Sequence, residues 1–165
     1  MLSIAVLTIS DTRTEATDKS GRFLAGGLQT AGHHLVAQAI VPDNIYKIRA
    51  IVSGWIADNT IQVIITTGGT GVTGRDSTPE ALQPLFDKEI PGFGEIFRMV
   101  SFAEIGTATL QSRAIAGIAN GTYLFCLPGS TGACRTGWEK LLKDQLDSRH
   151  TPCNFAELIS RLQEV

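Results

Sequence analysis

The stretch from residue 61 to residue 80 constrains the fold of this chain more than any other. An apolar, mainly β-branched run at 61–65 stops at a glycine-rich loop, and Thr78-Pro79 then marks the start of a helix. The run lacks the polar alternation of a half-exposed strand, so it predicts a strand covered on both faces, as in the centre of a parallel sheet. We expect Thr78 to be the N-cap of the helix and Pro79 its first residue.

The glycine-rich loop predicts an anion site, because glycines permit positive φ and let backbone N–H groups approach a ligand closely. Gly69, Gly71 and Gly74 have the G-x-G-x-x-G spacing, but residues 75–77 delay the helix, so Gly74 cannot serve strand–helix packing. A P-loop would need Lys-Ser/Thr where Arg75-Asp76 stands. We therefore expect a phosphate-binding loop of neither kind, with a divalent cation between phosphate and Asp76. The alternative is a simple tight turn.

Length and composition narrow the class of protein. A chain of 165 residues predicts one domain, spanning 1–165, with a core large enough to fold unaided. The hydrophobic fraction of 43% and charged fraction of 18% indicate a globular chain rather than a disordered one. A formal net charge of −2 argues against nucleic-acid binding, because no basic face is available to neutralise phosphates.

The cysteines and the apolar start of the chain bear on its location. Cys126, Cys134 and Cys153 have neither close pairing nor C-x-x-C spacing, so neither a disulfide framework nor a zinc site is indicated. Residues 2–9 are too few to span a bilayer and precede no cleavage-site pattern. We expect a cytoplasmic protein with no membrane segment.

Strand and helix patterns alternate along the chain. Residues 3–9, 34–41, 61–65 and 122–127 predict strands. The first helical pattern begins at 18–21 and ends near Gly32, and the second covers 45–57 with Asp43 as its N-cap. A third begins at Pro79, and a fourth covers 96–104 after a turn at 89–95. Of the last two, one contains Trp138, Leu141, Leu142 and Leu146 and the other covers 154–162, whereas residues 110–117 are ambiguous. The alternation implies right-handed βαβ crossovers. The predicted fold is an α/β three-layer sandwich with a mostly parallel central sheet flanked by helices.

Polar or glycine-rich loops follow the first three predicted strands. Ser10-Asp11 follows the first, Pro42-Asp43 the second and the glycine loop the third. Because the carboxyl ends of parallel strands share one edge of a sheet, we expect these loops to form a single ligand site there.

Several separated motifs then identify a resemblance to a known family. They are Ile9-Ser10-Asp11-Thr12, Val41-Pro42-Asp43, Thr67-Gly68-Gly69-Thr70-Gly71, Arg75-Asp76-Ser77-Thr78-Pro79-Glu80, Pro91-Gly92-Phe93-Gly94-Glu95 and Leu127-Pro128-Gly129-Ser130. In this order they resemble the MoaB/MogA family of molybdenum cofactor biosynthesis proteins, to which the G domain of gephyrin also belongs. The resemblance covers nearly the whole chain. Phe97-Arg98-Met99, residues 104–107 and residues 135–139 are more similar to the MoaB-like branch.

The resemblance implies a molybdopterin-binding fold and, in active members, transfer of AMP from Mg-ATP to the terminal phosphate of molybdopterin before metal insertion. It implies that Asp43 and Asp76 are the catalytic acids and the magnesium ligands. The residues that match its molybdopterin-phosphate site are Thr67, Gly68, Gly69, Thr70, Gly71, Gly129 and Ser130. Those that match its nucleotide side are Ser10, Asp11, Asp18, Lys19, Ser20 and Gly21.

Two functions remain open at this stage. The chain is either a molybdopterin adenylyltransferase or a non-catalytic protein that binds and delivers molybdopterin; the presence of both acids favours the enzyme. The resemblance also implies trimers or hexamers and handover of the product to a molybdate-inserting protein. Phe93, Phe97, Met99 and Phe102 are apolar residues that a small sheet leaves uncovered, so we expect residues 91–104 to lie at a subunit interface.

Overall fold

A six-stranded sheet organises the residues that the computed structural model describes, which are 1–164. In chain order the strands are β1 (Ser3–Ile9), β2 (His34–Val41), β3 (Val63–Thr67), β4 (Lys88–Glu89), β5 (Ile115–Ala119) and β6 (Thr122–Leu127). Their spatial order is β2-β1-β3-β6-β5-β4, and the first four are mutually parallel. Strand β5 is antiparallel to both β6 and β4. The predicted mostly parallel sheet is confirmed, with antiparallel pairing confined to one edge.

Helices cover both faces of this sheet. They are α1 (Lys19–Thr30), α2 (Ile45–Ala57), α3 (Thr78–Leu82), α4 (Pro91–Ile105), α5 (Thr131–Gly137), α6 (Lys143–Gln145) and α7 (Phe155–Leu158). Short 3-10 turns lie at Gln83–Leu85, Gly106–Gln111 and Ile159–Arg161, and a π turn at Trp138–Leu142 joins α5 to α6. Across residues 1–164, each helix is too short or too polar to cross a membrane.

The alternation of side chains along β1 separates two hydrophobic cores. Ile4 and Val6 belong to one core, with α1, α4 and α5, whereas Ala5 and Leu7 belong to the other, with α2 and α3. All four are fully buried. A strand covered on both faces needs no polar alternation, which explains the apolar run in its sequence. The three-layer arrangement is therefore confirmed.

Strand β3 begins and ends two residues later than the predicted range of 61–65. The N–H of Ile61 donates to the carbonyl oxygen of Asp58 at 3.0 Å, so Ile61 still belongs to the turn after α2. At the other end, Thr66 and Thr67 pair with both β1 and β6. Backbone pairing on both sides extends the strand into polar residues that the apolar pattern excluded.

The two predicted helix caps were wrong. The side-chain oxygen of Asn44, not Asp43, accepts from two N–H groups in the first turn of α2, both at 3.1 Å. Helix α3 includes Thr78, whose hydroxyl donates to the carbonyl oxygen of Gly68 at 2.8 Å instead of capping the helix. Because Asn44 caps α2, the carboxylate of Asp43 is available for another purpose.

Helix α4 begins at Pro91, inside the predicted turn at 89–95. Proline suits the first helical position because its missing N–H has no partner there in any case. Gly94 lies within the helix where an added β-carbon would come 2.4 Å from a backbone carbonyl oxygen of the segment before β5. This close approach buries Phe93 and Phe97 in the core, so the expectation that both would be uncovered was wrong.

The other predicted elements lie close to the observed ones. The strands at 3–9, 34–41 and 122–127 are confirmed, and α1 ends at Thr30, near the predicted Gly32. The ambiguous stretch 110–117 holds the end of a 3-10 turn and the start of β5. The predicted last two helices correspond to the α5–α6 segment and to α7 with its following turn.

An apolar face on α4 and the turn after it is exposed. Met99, Phe102 and Ile105, spaced three residues apart on one side of the helix, are 63%, 57% and 56% exposed, and Leu110 is 78% exposed. We call these four residues the α4 apolar face. Large exposed apolar patches are uncommon on monomers and mark interaction sites, so these side chains are candidates for a contact with another molecule.

The packing of α1 on the buried ring of Trp138 gives a test of the fold. Gly27→Ala should lower the free energy of unfolding by about 1–3 kcal/mol, because the new β-carbon would lie 2.8 Å from Trp138 Nε1. Gly26→Ala has open space around it and should raise stability by about 0.5–1 kcal/mol through helix propensity. Urea denaturation measures both, and equal effects from the two substitutions would contradict this packing.

Candidate functional site

The candidate site lies where the carboxyl ends of β1 and β3 meet. From β1 the chain passes to β2 on one side and then returns to β3 on the other, which opens a crevice between the loops. A cavity of about 590 Å³ occupies this position. The predicted site residues that line it are Ser10, Asp43, Thr67, Gly68, Gly69, Thr70, Gly71, Asp76, Gly129 and Ser130.

The glycine loop lies directly against the end of β1. Gly68 has φ +106° and Gly69 has φ +64°, so the expected left-handed conformation is present at both. A β-carbon on Gly68 would come 2.1 Å from the carbonyl oxygen of Ile9. Thr78 secures the loop, since its N–H donates to Gly69 O at 2.9 Å and its hydroxyl to Gly68 O.

Two loop glycines also make room for the acids. A β-carbon on Gly69 would lie 2.6 Å from Asp43 Oδ1, and one on Gly71 would lie 2.7 Å from Asp76 Oδ2. Gly71 does not have a positive φ. Close approach of the Asp76 carboxylate, rather than backbone conformation, therefore requires glycine at position 71.

Asp43 carries a side-chain oxygen, Oδ1, that is buried and has no hydrogen-bond partner among residues 1–164. Burial raises the pKa of Asp43 above its ordinary value, and the negative charges of Asp11 and Asp76 raise it further. Buried polar atoms are normally paired, and a carboxylate in this position is costly. A perturbed carboxyl in a cleft indicates a functional site, here one that would accept a cation.

Asp76 shows the opposite shift. Burial pushes the pKa of Asp76 upward, but hydrogen bonds from Thr73 and Gly71 and the charge of Arg113 outweigh burial, so the pKa lies below its ordinary value. The Thr73 hydroxyl donates to Asp76 Oδ2 at 2.6 Å and the Thr73 N–H at 2.9 Å. The site thus contains one stabilised carboxylate, Asp76, and one carboxyl group, Asp43, whose ionised form is disfavoured by burial and by repulsion.

Arg13 is the one cation among the residues that line this cavity in the described chain. One N–H of its guanidinium donates to the carbonyl oxygen of Thr17 at 3.2 Å, and its backbone N–H donates to Ser10 Oγ at 3.2 Å. One arginine does not balance the two acids, Asp43 and Asp76. An anionic ligand would therefore enter more easily together with a divalent cation.

The predicted nucleotide-side residues behave differently from one another. Only Ser10 lines the cavity. Asp18 is buried as the N-cap of α1, where its carboxylate accepts from the Thr8 hydroxyl at 2.6 Å and from the Gly21 N–H at 2.8 Å. Gly21 is required there because a β-carbon would lie 2.2 Å from Asp18. Through these contacts Asp18 and Gly21 stabilise the loop between β1 and α1.

Ser20, Asp11 and Lys19 complete that set. The buried hydroxyl of Ser20 donates to the carbonyl oxygen of Gly129 at 2.8 Å, so it ties α1 to the loop after β6. Asp11 forms a surface ion pair with Arg75, whose guanidinium holds the pKa of Asp11 below its ordinary value. Lys19 is exposed. A nucleotide role for these residues stays a prediction.

Sequence reasoning missed one whole wall of the cavity. It comes from α4 and the turn after it, and its residues are Phe97, Ser101, Ile105, Ala108, Thr109, Gln111 and Ser112. Thr70 Oγ1 and Ser112 Oγ line the cavity and are buried without a partner, so both could bond a ligand. Small polar residues in an apolar stretch were the only signal in the sequence, and it is a weak one.

The donor set bears on metal binding. Within residues 1–164, no group of three or more His, Cys, Asp and Glu side chains is arranged to hold a metal ion. Two carboxylates beside a phosphate suit magnesium, which commonly keeps waters and substrate oxygens as its other ligands. Asp43 and Asp76 by themselves are fewer ligands than a permanently bound metal ion requires, so other ligands would have to come from water or from a bound anion.

Comparison with known proteins agrees with the fold described above. Residues 5–148 match the family described as a probable molybdopterin binding domain. Molybdenum cofactor biosynthesis protein B of Escherichia coli (strain K12) is 60% identical over 152 residues, covering 92% of this chain and 89% of that protein. A crystal structure of a molybdenum cofactor biosynthesis protein B superposes with a TM-score of 0.89 at 41% identity, covering 99% of this chain and 97% of the other. The tungsten cofactor synthesizing protein MoaB from Pyrococcus furiosus gives 0.76 at 41%, covering 85% and 89%.

The raised pKa of Asp43 predicts that its ionised form destabilises the fold. This destabilisation is absent below the unfolded pKa of 3.8, develops as pH rises from that value to the folded pKa, and is complete above the folded pKa. Without magnesium, Asp43→Asn should therefore raise the free energy of unfolding near pH 7 by about 0.5–2 kcal/mol, and the gain should vanish near pH 3.

Asp58→Asn is the matched control, because hydrogen bonds from Thr60 lower the pKa of this exposed carboxyl and removal of its charge brings no gain. Urea denaturation at the two pH values in the presence of a chelator measures all three proteins. A gain for Asp43→Asn that persists unchanged at low pH would show that charge is not its cause.

Proposed function

The chain belongs to the MoaB/MogA family of molybdenum cofactor biosynthesis proteins, and on that basis we propose that it adenylylates molybdopterin with ATP. The observation that carries the proposal is the buried, unpartnered oxygen of Asp43 in the cavity that Asp76 and the glycine loop also line. A protein that only bound a pterin phosphate would gain nothing from a disfavoured carboxylate at this position.

In the proposed reaction, an oxygen of the terminal phosphate of molybdopterin attacks the α-phosphorus of ATP. A new phosphoanhydride bond forms, the bond to the β-phosphate breaks, and pyrophosphate leaves. The chemistry depends on bringing two anions into line and neutralising charge, so the task of the protein is mainly orientation and electrostatic stabilisation.

The residues divide this task by position. Backbone N–H groups of Gly69 and Thr70, with Gly129 and Ser130 opposite, would orient the acceptor phosphate, since the N–H groups of Gly68 and Gly71 already donate to Leu127 O and to the Asp76 carboxylate. A β-carbon on Gly129 would lie only 3.3 Å from Gly68 Cα, so the two loops form a narrow cradle. Arg13 is the lining cation that would contact the phosphates of the nucleotide, which adds one residue to the predicted nucleotide side.

Asp43 and Asp76 would hold Mg²⁺, which neutralises phosphate charge when it is bound. The low pKa of Asp76 keeps that carboxylate ready to bind a cation, and a cation would relieve the repulsion that Asp43 experiences. Product handover to a molybdate-inserting protein follows from this place in the pathway. The buried thiols of Cys126 and Cys134 suit a reducing compartment, so the proposal includes a cytoplasmic location.

The alternative is a protein that binds and delivers molybdopterin without turning ATP over. It would use the glycine cradle in the same way but would need neither acid. The two functions therefore differ in the effect of replacing Asp43 or Asp76.

Asp43→Asn and Asp76→Asn should each lower AMP transfer by roughly 100-fold or more, while the Kd for molybdopterin changes less than about threefold. The reason is that these carboxylates act on the charge of the reacting phosphates rather than on the pterin. Initial rates with molybdopterin, Mg²⁺ and ATP, together with titration of pterin fluorescence, measure the two effects separately.

Asp58→Asn, which changes an exposed carboxylate at the end of α2, is the control and should leave both quantities unaltered. If Asp76→Asn transferred AMP at the wild-type rate, the magnesium assignment would be wrong. If the wild type itself bound molybdopterin but transferred no AMP, the delivery function would replace the enzyme.

We also propose that the α4 apolar face is the contact between subunits of a trimer or hexamer. Three of its side chains lie on the helix that walls the cavity and Leu110 lies on the turn after it; all four remain exposed although Phe93 and Phe97 are covered. Burial of exposed apolar side chains is the main driving force of such association. Within the interface expected at residues 91–104 only Met99 and Phe102 belong to this face, and the proposed contact extends beyond that range to Ile105 and Leu110.

Phe102→Glu should convert the oligomer to monomers at micromolar concentration, because association would bury an unpaired charge. Tyr46→Glu changes an exposed aromatic residue on α2, which covers the opposite face of the sheet, and should leave the assembly intact. Sedimentation velocity distinguishes the species. A wild-type chain that sediments as a stable monomer would remove this proposal.

A further inference from the structure

We propose that Arg113 is a positioning residue that sets the place of Asp76 from outside the cavity. The inference rests on the proposed function, because Asp76 has a catalytic place only if AMP is transferred. Arg113 lies just before β5 and far in sequence from the glycine loop, yet its guanidinium contacts Gly71 and Asp76, both in the segment that joins β3 to α3.

The contacts of Arg113 converge on backbone oxygens. Its Nε donates to Gly71 O at 2.7 Å, and its terminal nitrogen Nη2 donates to Asp76 O at 2.9 Å. The Arg113 N–H also donates to Thr70 O at 2.8 Å. The carboxylate of Glu80 pairs with the guanidinium and orients it.

These bonds hold the backbone of Gly71 close to the backbone of Asp76, as the site requires. Residues 71 and 76 bracket the middle of the loop between β3 and α3, and the bare Cα of Gly71 faces the Asp76 carboxylate. Inside the loop, Asp76 N–H donates to Thr73 O at 3.0 Å and Thr73 bonds the carboxylate in return. The inner turn thus orients the side chain, while Arg113 ties the two ends of the loop to one rigid group.

Arginine is suited to this position and lysine is not. A planar guanidinium can bond two carbonyl oxygens and a carboxylate at once, whereas an ammonium group cannot match that arrangement. Arg113 is absent from the lining of the cavity, so it acts through the loop rather than on a ligand. Because its side chain is 34% exposed, Arg113 is not part of the hydrophobic core either.

Arg49 provides a matched comparison. Its guanidinium also donates to two backbone oxygens, Ala81 O at 2.9 Å and Glu80 O at 2.8 Å, but these belong to α3 and not to the loop. Arg49→Ala should therefore lower stability much as Arg113→Ala does, without moving Asp76.

The test compares wild type with Arg113→Ala, Arg113→Lys and Arg49→Ala. For AMP transfer from Mg-ATP to molybdopterin, Arg113→Ala should lower kcat by roughly 100-fold, with KM for ATP changed less than about threefold, because misplaced catalytic groups cost rate more than binding. Arg113→Lys should recover only part of kcat, and added guanidinium should partly rescue Arg113→Ala. Arg49→Ala should keep kcat within about threefold of wild type.

Hydrogen exchange gives a second measurement that needs no activity. Amides of residues 70–77 should exchange about tenfold faster in Arg113→Ala than in wild type, and at the wild-type rate in Arg49→Ala. Unchanged exchange in Arg113→Ala, or a fall in kcat no larger than that of Arg49→Ala, would overturn the inference. A wild type that transfers no AMP would instead defeat the proposed function, and exchange at 70–77 would still decide whether Arg113 holds the loop.

Discussion

The site depends on the contact between the glycine loop and the end of β1. Gly68 lies where any side chain would strike the carbonyl oxygen of Ile9, so the loop can approach this strand only because residue 68 has no β-carbon. The same approach leaves room beside Gly69 for Asp43, which follows the neighbouring strand β2. Two carboxylates from separate strands thus reach one cavity, because two loops share a single narrow edge of the sheet.

The electrostatics of that edge follow from where each acid obtains its partners. Asp76 lies in a loop that supplies hydrogen bonds to its own carboxylate, whereas Asp43 has an oxygen with no partner in the part of the chain that the structure describes. Their pKa values therefore shift in opposite directions. A bound cation would favour both carboxylates, and without one the site is a local source of instability, as is common where function opposes stability.

Helix α4 connects the core, the cavity and the surface. Its inner side buries Phe93 and Phe97, its carboxyl half lines the cavity through Ser101, and its outer side carries Met99 and Phe102; Ile105, at its end, belongs both to the cavity wall and to the α4 apolar face. A partner packed on that face would restrict the helix that forms one wall of the site. Assembly and ligand binding would then be coupled through a single rigid element.

The sequence by itself determined the layers of the fold and most of the central loop site. Apolar runs without alternation indicate strands covered on both faces, and parallel strands gather their following loops at one edge whatever the details of packing. That is why the sequence alone could place Asp43, Asp76 and the glycines together.

Local patterns failed at element ends, where Asn44 rather than Asp43 caps α2 and Pro91 starts α4, because neighbouring residues competed for the same role and packing decided between them. Only the tertiary structure revealed the α4 wall, the fold-supporting contacts of Asp18 and Ser20, and the bonds of Arg113 to the loop. Those contacts join segments far apart in the chain, and no spacing in the sequence records which distant backbone oxygen a side chain will reach.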